Sequence, residues 1–305
     1  MPDRHKDPRN ILLVKTHAIG DLLMTTPALR AIYHQYPDAR YYYLTGRWSE
    51  PAIKDNQYLH EVIVVDDADL FDRRIVKLAK LLWKLRTEQY DRAYIFQPAP
   101  EVHRLIQMAG VPQRIGFYHE DSMYTLTVGV PWKSDDRRYG PDRYLDLVRA
   151  TDGTPQGLTM DIHITQDAVE ETYRLLRDRP GPWIALCPGG GVNPRQSVPE
   201  KRWNTDRWAE IAARINDSLG KAIILGSASD FYVARDIEMY DDRVITQGVG
   251  QLSLAASAEI IRRSALCITH DTATMHLAVA VNTPTLALFG PTDPQTFLPN
   301  DPKFL

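Results

Sequence analysis

Ala265-Leu266-Cys267-Ile268-Thr269-His270-Asp271-Thr272-Ala273-Thr274-Met275-His276-Leu277-Ala278, with Pro284-Thr285-Leu286-Ala287-Leu288-Phe289-Gly290 shortly after it, decides the fold of this chain. An apolar run gives way to a polar turn beginning at His270, then to a helical stretch, then to a second apolar run. The order is strand, turn, helix, strand, which favours parallel pairing in an α/β sheet. Asp271 and Thr272 fall where the strand ends and the helix begins. Unsatisfied backbone N–H groups and the helix dipole converge there and favour a bound phosphate. In open α/β sheets that edge is also where ligands bind.

Outward from this stretch the pattern repeats. In the C-terminal half, helical spacing over 166–178 is broken by Pro180-Gly181-Pro182. The strand Trp183-Ile184-Ala185-Leu186-Cys187 then ends in Pro188-Gly189-Gly190-Gly191. Helices are expected over 205–219, 230–239 and 253–264, with a strand at Ala222-Ile223-Ile224-Leu225-Gly226. In the N-terminal half, strands are expected at 11–14, 41–44, 62–65, 93–96, 114–117 and 126–128, and helices at 21–36, 72–88 and 142–150. Two Rossmann-like domains, 1–165 and 166–305, would then present parallel sheets to a central cleft.

The chain has 305 residues, 44% hydrophobic and 25% charged, with a formal net charge of −3. These values suit a soluble globular protein and exclude a bulk nucleic-acid binder. Met1-Pro2-Asp3-Arg4-His5-Lys6-Asp7-Pro8 lacks the apolar core of a signal peptide. No apolar run approaches the roughly 18–20 residues that span a bilayer, so a cytoplasmic protein is expected. Cys187 and Cys267 both fall in expected strands and read as core thiols.

Three motifs carry chemistry. Lys15-Thr16-His17-Ala18-Ile19-Gly20-Asp21 follows the first strand and contains neither a dinucleotide fingerprint nor a P-loop. Gly20 would let a ligand approach the backbone. Asp21 either caps the following helix or serves as a general base for an acceptor hydroxyl. His17 is a second titratable candidate, and Lys15 and Thr16 line the same turn. The glycines Gly189 and Gly190 leave N–H groups to face a phosphate. Lys201 could neutralise a departing diphosphate, the alternative being a solvated Lys201-Arg202 pair. Trp203 and Trp208 read as core. In the third motif, Asp271 is a candidate for a sugar hydroxyl and Thr272 for phosphate; the alternative is an N-cap pair with His276 packed on the helix.

Together and in this order, the three elements resemble glycosyltransferase family 9, the bacterial heptosyltransferases. Lys15-Thr16-His17-Ala18-Ile19-Gly20-Asp21 with Thr26-Pro27 is similar to the family's opening pattern. Lys201-Arg202-Trp203 with Trp208 resembles its Lys-x-Trp element, and Asp271 to Ala278 with Phe289-Gly290-Pro291-Thr292-Asp293-Pro294 resembles its closing element. The resemblance implies a GT-B architecture and inverting transfer of heptose from ADP-heptose to a lipopolysaccharide-core or other glycan acceptor. It implies Asp21 as base, Lys201 on the donor phosphates, and Gly189, Gly190, Leu252, Asp271, Thr272, Ala273 and His276 on donor-binding positions. Ala273 stands where the family has Gly, the 189–200 segment is longer than a minimal loop, and a final helix crossing to the N-terminal domain is expected to be lacking.

The implied mechanism is a single displacement with no required cofactor or metal, since fixed positive charge serves the leaving diphosphate. Asp66-Asp67-Ala68-Asp69 reads as a solvated loop rather than a metal site. The helix over 72–88, with Arg73, Arg74, Lys77, Lys80, Lys84 and Arg86, reads first as an amphipathic surface helix. Its second reading is peripheral contact with an anionic acceptor or the cytoplasmic face of the inner membrane. Two rivals to the transferase stand: a GT-B nucleotide-sugar epimerase or hydrolase, and a non-catalytic nucleotide-sugar-binding protein.

Overall fold

Ile11, Leu12, Leu13 and Val14 offer no polar face to water, and all four are fully buried. Such a run suits the middle of a parallel sheet covered on both faces, and β1 (Asn10–Val14) lies there. The computed structural model describes residues 7–66, 75–119, 123–190, 192, 193 and 196–305. The expectations placed on the first six residues, on Asp67, Ala68 and Asp69, on Arg73 and Arg74, and on Gly191 lie outside the described residues.

The chain forms two compact units, Met1–Thr159 and Met160–Leu305. In the first, β1 is joined by β2 (Arg40–Gly46), β3 (Glu61–Val65), β4 (Arg92–Ile95), β5 (Gln113–Tyr118) and β6 (Val128–Pro131). Their order is β3-β2-β1-β4-β5-β6 and every pairing is parallel. This is a Rossmann order whose direction of winding reverses between β1 and β4.

The second unit holds β7 (Trp183–Cys187), a short antiparallel hairpin of β8 (Val192–Asn193) and β9 (Gln196–Ser197), then β10 (Lys221–Ile224), β11 (Leu266–His270) and β12 (Thr285–Leu288). Its main sheet is parallel, in the order β10-β7-β11-β12, and reverses between β7 and β11. The outer edge of β12 is covered by the last residues: the Thr285 N–H donates to the Lys303 carbonyl and the Ala287 N–H to the Leu305 carbonyl, at 2.8 and 2.7 Å. Cys187 and Cys267 are buried free thiols on the neighbouring strands β7 and β11. Trp208, on the helix Thr205–Ser218, sits at the centre of an apolar cluster with Ile184, Leu186, Ala222 and Ile224.

Several elements depart from the sequence expectation. The helix expected over 21–36 is two helices, Ile19–Met24 and Thr26–Gln35. At the break the Thr25 and Thr26 hydroxyls donate to the Leu22 and Leu23 carbonyls, both at 2.7 Å, and Pro27 has no N–H to continue the ladder. The helix expected over 142–150 is likewise two short pieces, Gly140–Tyr144 and Asp146–Arg149. The strand expected at 126–128 lies at Val128–Pro131 instead. The sequence reading assigns no element between the strands at 93–96 and 114–117; a helix lies there at Pro100–Met108, opened by Pro100, where a missing N–H costs nothing. Trp203, read as core, is 41% exposed and meets Trp208 edge-on. Among the described residues no helix is long and apolar enough to cross a membrane.

Candidate active site

Each unit gathers its motif residues at the point where its sheet reverses. In the first, the turn after β1 meets the end of β4. The Thr16 N–H donates to Gln97 Oε1 at 2.8 Å, and the Gln97 amide donates back to the Thr16 hydroxyl at 3.1 Å. Thr16 and Gln97 are both buried, so this exchange fixes the turn against the sheet. Ala18 then adopts φ 64°, a left-handed backbone that costs a residue with a Cβ about 1 kcal/mol or more. The strain turns the chain abruptly into the helix Ile19–Met24 and puts Asp21 in its first turn.

Ala18, not Asp21, occupies the N-cap position. The Asp21 carboxylate instead lies 3.0 Å from the Lys15 ammonium and remains partly open to solvent, while Lys15 is almost wholly buried. Burial by itself would lower the Lys15 pKa; the Asp21 carboxylate and Tyr144 outweigh it and hold the ammonium above its ordinary value. The Tyr144 ring centroid is 5.7 Å from that ammonium, and burial pushes the phenol up to about 12. Lys15 is therefore a permanent cation at the back of the turn, with the carboxylate in front of it. His17 is exposed, its Nδ1 3.0 Å from the Thr16 hydroxyl, and Gly20 is buried in the helix's first turn.

In the second unit the loop after β7 meets the turn after β11. A Cβ on Gly190 would stand 2.1 Å from Thr272 Cγ2, and its φ is +115°, so only glycine allows this approach. Gly189 is pressed as closely on Asp230, where a Cβ would stand 2.3 Å from Cγ. Thr272 is the N-cap residue of the helix Ala273–Ala280, but its side chain makes no capping bond. Its hydroxyl pairs instead with that of Thr274 at 2.9 Å. Ala273 is the first residue of the helix, and His276 is buried beside Phe297.

Asp271 is buried and accepts three hydrogen bonds from two side chains. Lys201 Nζ donates to Asp271 Oδ2 at 2.6 Å and to the Asp271 carbonyl at 3.2 Å, and the Thr292 hydroxyl donates to Oδ2 at 2.6 Å. Lys201 is thus no solvated surface lysine: it is delivered to the strand end by the single turn Pro199–Lys201. Arg202 is exposed, and its Nε donates to the Gly190 carbonyl at 2.6 Å. A carboxylate, an ammonium, a hydroxyl and a glycine loop are brought together at one sheet edge, an arrangement suited to a diphosphate and a sugar hydroxyl. Leu252 is half-buried and packs, as Ile164 does, against Ala168, Ala255 and Ala256.

Sequence reading did not single out Gln97, Thr292 or a binding role for His270. Gln97 and His270 each carry a weak signal, as the polar residue that closes an apolar strand run. His270 is the last residue of β11 rather than part of the turn, and it is buried. Among the described residues no group of three or more His, Cys, Asp or Glu is placed to hold a metal ion.

The profile of glycosyltransferase family 9 (heptosyltransferase) matches residues 78–304. Lipopolysaccharide heptosyltransferase 2 of Escherichia coli K12 is 26% identical over 305 aligned positions, spanning 93% of this chain and 83% of that protein. The solved structure of E. coli ADP-heptose lipopolysaccharide heptosyltransferase II superposes with a TM-score of 0.81 at 25% identity, covering 97% of this chain and 89% of that one. A family 9 glycosyltransferase from Veillonella parvula gives 0.83 at 22% identity, with 97% and 86% coverage, a likeness of fold.

Proposed function

The chain belongs to glycosyltransferase family 9 and is a glycosyltransferase of the GT-B fold, and from that premise we propose that it transfers a heptose from ADP-heptose to a lipopolysaccharide-core acceptor with inversion. The observation that carries the reading is the donor half-site, in which Lys201, Asp271, Thr292 and the Gly189-Gly190 loop meet at one sheet edge. It rests also on the relatives, whose names state lipopolysaccharide heptosyltransferase activity and, for one, an ADP-heptose donor.

In this scheme Asp21 takes the proton of the attacking acceptor hydroxyl. Lys15 keeps a positive charge 3.0 Å behind that carboxylate. Lys201 and the N–H groups that open the helix Ala273–Ala280 offset charge growing on the leaving diphosphate, the kind of preorganised contact worth about 3–4 kcal/mol for a single donor. Fixed cations fill the place a metal would take, so none is needed. Thr272, Ala273, His276 and Leu252 belong to the donor side of this reading, and Lys15, Thr16, His17 and Gly20 to the acceptor side.

The proposed setting is the cytoplasm, with peripheral contact at the inner membrane through the helix Ile75–Thr87. Trp83 and Val76 on that helix are each 70% exposed, and Lys80 and Arg86 are exposed with them.

The test is Asp21→Asn assayed with ADP-heptose and a heptose-acceptor core saccharide. Transfer should fall by at least about 100-fold, the usual worth of a positioned general base, with ADP affinity nearly unchanged and the wild-type rate indifferent to EDTA. Transfer retained by Asp21→Asn would remove Asp21 as the base.

A further inference from the structure

The ring of His270 joins three separate pieces of chain. Its Nε2 accepts the Trp203 N–H at 2.9 Å, and its Nδ1 lies 3.1 Å from the Gly189 carbonyl oxygen. A backbone N–H can only donate and a carbonyl can only accept. The two contacts together therefore require a neutral ring with its proton on Nδ1, which donates to Gly189. The ring is buried and rests edge-on against Trp208, with centroids 5.1 Å apart. His270 closes β11, Gly189 follows β7, and Trp203 follows Lys201. A single side chain thus bridges the reversal point of the sheet and ties it to the segment that delivers the lysine.

We propose that His270 is a positioning residue of the donor half-site: its neutral ring latches the Gly189 carbonyl to the Trp203 amide and so holds Lys201 and Gly190 in register against Asp271 and Thr272. The proposal rests on the donor reading of this half-site. Arg202 strengthens the same latch from outside, donating to the Gly190 carbonyl next to the one His270 holds. Both bonds end on backbone, so the latch constrains where the main chain runs rather than what any one side chain does.

A protonated ring would aim an Nε2–H at the Trp203 N–H, and that bond would be lost. The structure opposes protonation: burial and the Arg202 guanidinium hold the ring below the ordinary histidine range, against a pull from the Gly189 carbonyl. Among the described residues, the charged groups on the elements packed against the ring include Arg202 on the Trp203 segment, Asp271 with its partner Lys201 next along the chain, and Asp230 against Gly189.

Four measurements on the full chain test the latch. In ligand-free wild-type protein at pH 7, nitrogen-15 NMR of the ring should show a neutral imidazole protonated at Nδ1. His270→Ala should weaken ADP binding by roughly tenfold, since the buried Gly189 carbonyl and the partly buried Trp203 N–H both lose their partner. His270→Gln, which keeps one amide donor and one carbonyl acceptor, should recover most of it. The wild-type to His270→Gln ratio of ADP affinities should fall on the acid side of the histidine range; taking the ratio cancels the nucleotide's own titration. An Nε2–H or charged ring at pH 7, or unchanged ADP affinity in His270→Ala, overturns the latch. A wild-type chain that ignores ADP overturns the proposed donor instead, and the NMR result still decides the ring's two bonds.

Discussion

Asp271 shows how little a residue's position says about its partners. Its place at the end of an apolar run was evident from the order of residues, and so was the helix that follows. That its carboxylate is buried and shared between Lys201 and Thr292, 70 and 21 residues away, was not. A prediction follows at this scale. Lys201→Met removes the ammonium 2.6 Å from a buried carboxylate. Leaving one charge of such a pair behind costs about 3 kcal/mol, part of which Thr292 offsets. The variant should therefore melt several degrees lower than wild type and, once folded, transfer heptose about 100-fold more slowly. A variant that melts lower but transfers at the wild-type rate would leave Lys201 a structural role alone. Asp21 and Lys15 lie in one quoted motif, six residues apart, yet their ion pair depends on the left-handed turn at Ala18, a conformation no side-chain pattern announces.

Among elements, the strands were the most legible. β1, β7 and β11 are each built on a run of consecutive apolar residues, the pattern of a strand covered on both faces. Helix ends were less so, because they are set by capping and by short-range hydroxyl bonds such as those of Thr25 and Thr26. The helix Ile75–Thr87 has the expected apolar stripe: Leu78, Leu81, Leu82 and Leu85 pack into the core of the first unit. Its cations are not equivalent. Lys84 is paired with Glu61 at 2.6 Å, and Lys77 is 3.9 Å from Asp66. Lys80 and the exposed Trp83 are the groups expected to matter for a membrane surface. Lys80→Glu combined with Trp83→Ala should lower binding to anionic lipid vesicles by about fivefold or more at low salt, since each cation near such a surface contributes about 1 kcal/mol. Equal sedimentation of the double variant and wild type with vesicles would mark this as an ordinary surface helix.

For the whole molecule, each unit places its chemistry at its own reversal point: β1 with β4 in the first, β7 with β11 in the second. Each reversal point is bridged by one polar side chain at or just past a strand end, Gln97 reaching Thr16 and His270 reaching Gly189. Stability in acid can be assigned as well. Arg243 holds the Asp241 carboxyl down to about 2, from an ordinary value near 3.8, with Asn216 assisting. The folded state therefore binds this proton less readily than the unfolded chain, and the contribution is fully present above about pH 4 and lost as pH falls toward 2. It should amount to about 1–2 kcal/mol after allowing for solvent on the Arg243 side. Urea melts of wild type and Asp241→Asn should differ at pH 6 and converge near pH 2; a gap that persists at pH 2 would assign the effect to packing.

The amino-acid order alone determined the α/β class, the two repeated Rossmann-like units, and the strand ends at which Asp21, Gly189, Gly190 and Asp271 fall. These are local matters, governed by runs of apolar residues and by the turn chemistry that interrupts them. Tertiary structure decided which of those strand ends are neighbours and what each polar group touches. Lys201 meets Asp271, Thr292 joins them, Trp203 stays at the surface while Trp208 is buried, and His270 becomes a bridge rather than part of a loop. Such partnerships depend on sheet order and on contacts between residues tens of positions apart, set by how the sheets pack, and no periodicity along the chain encodes them.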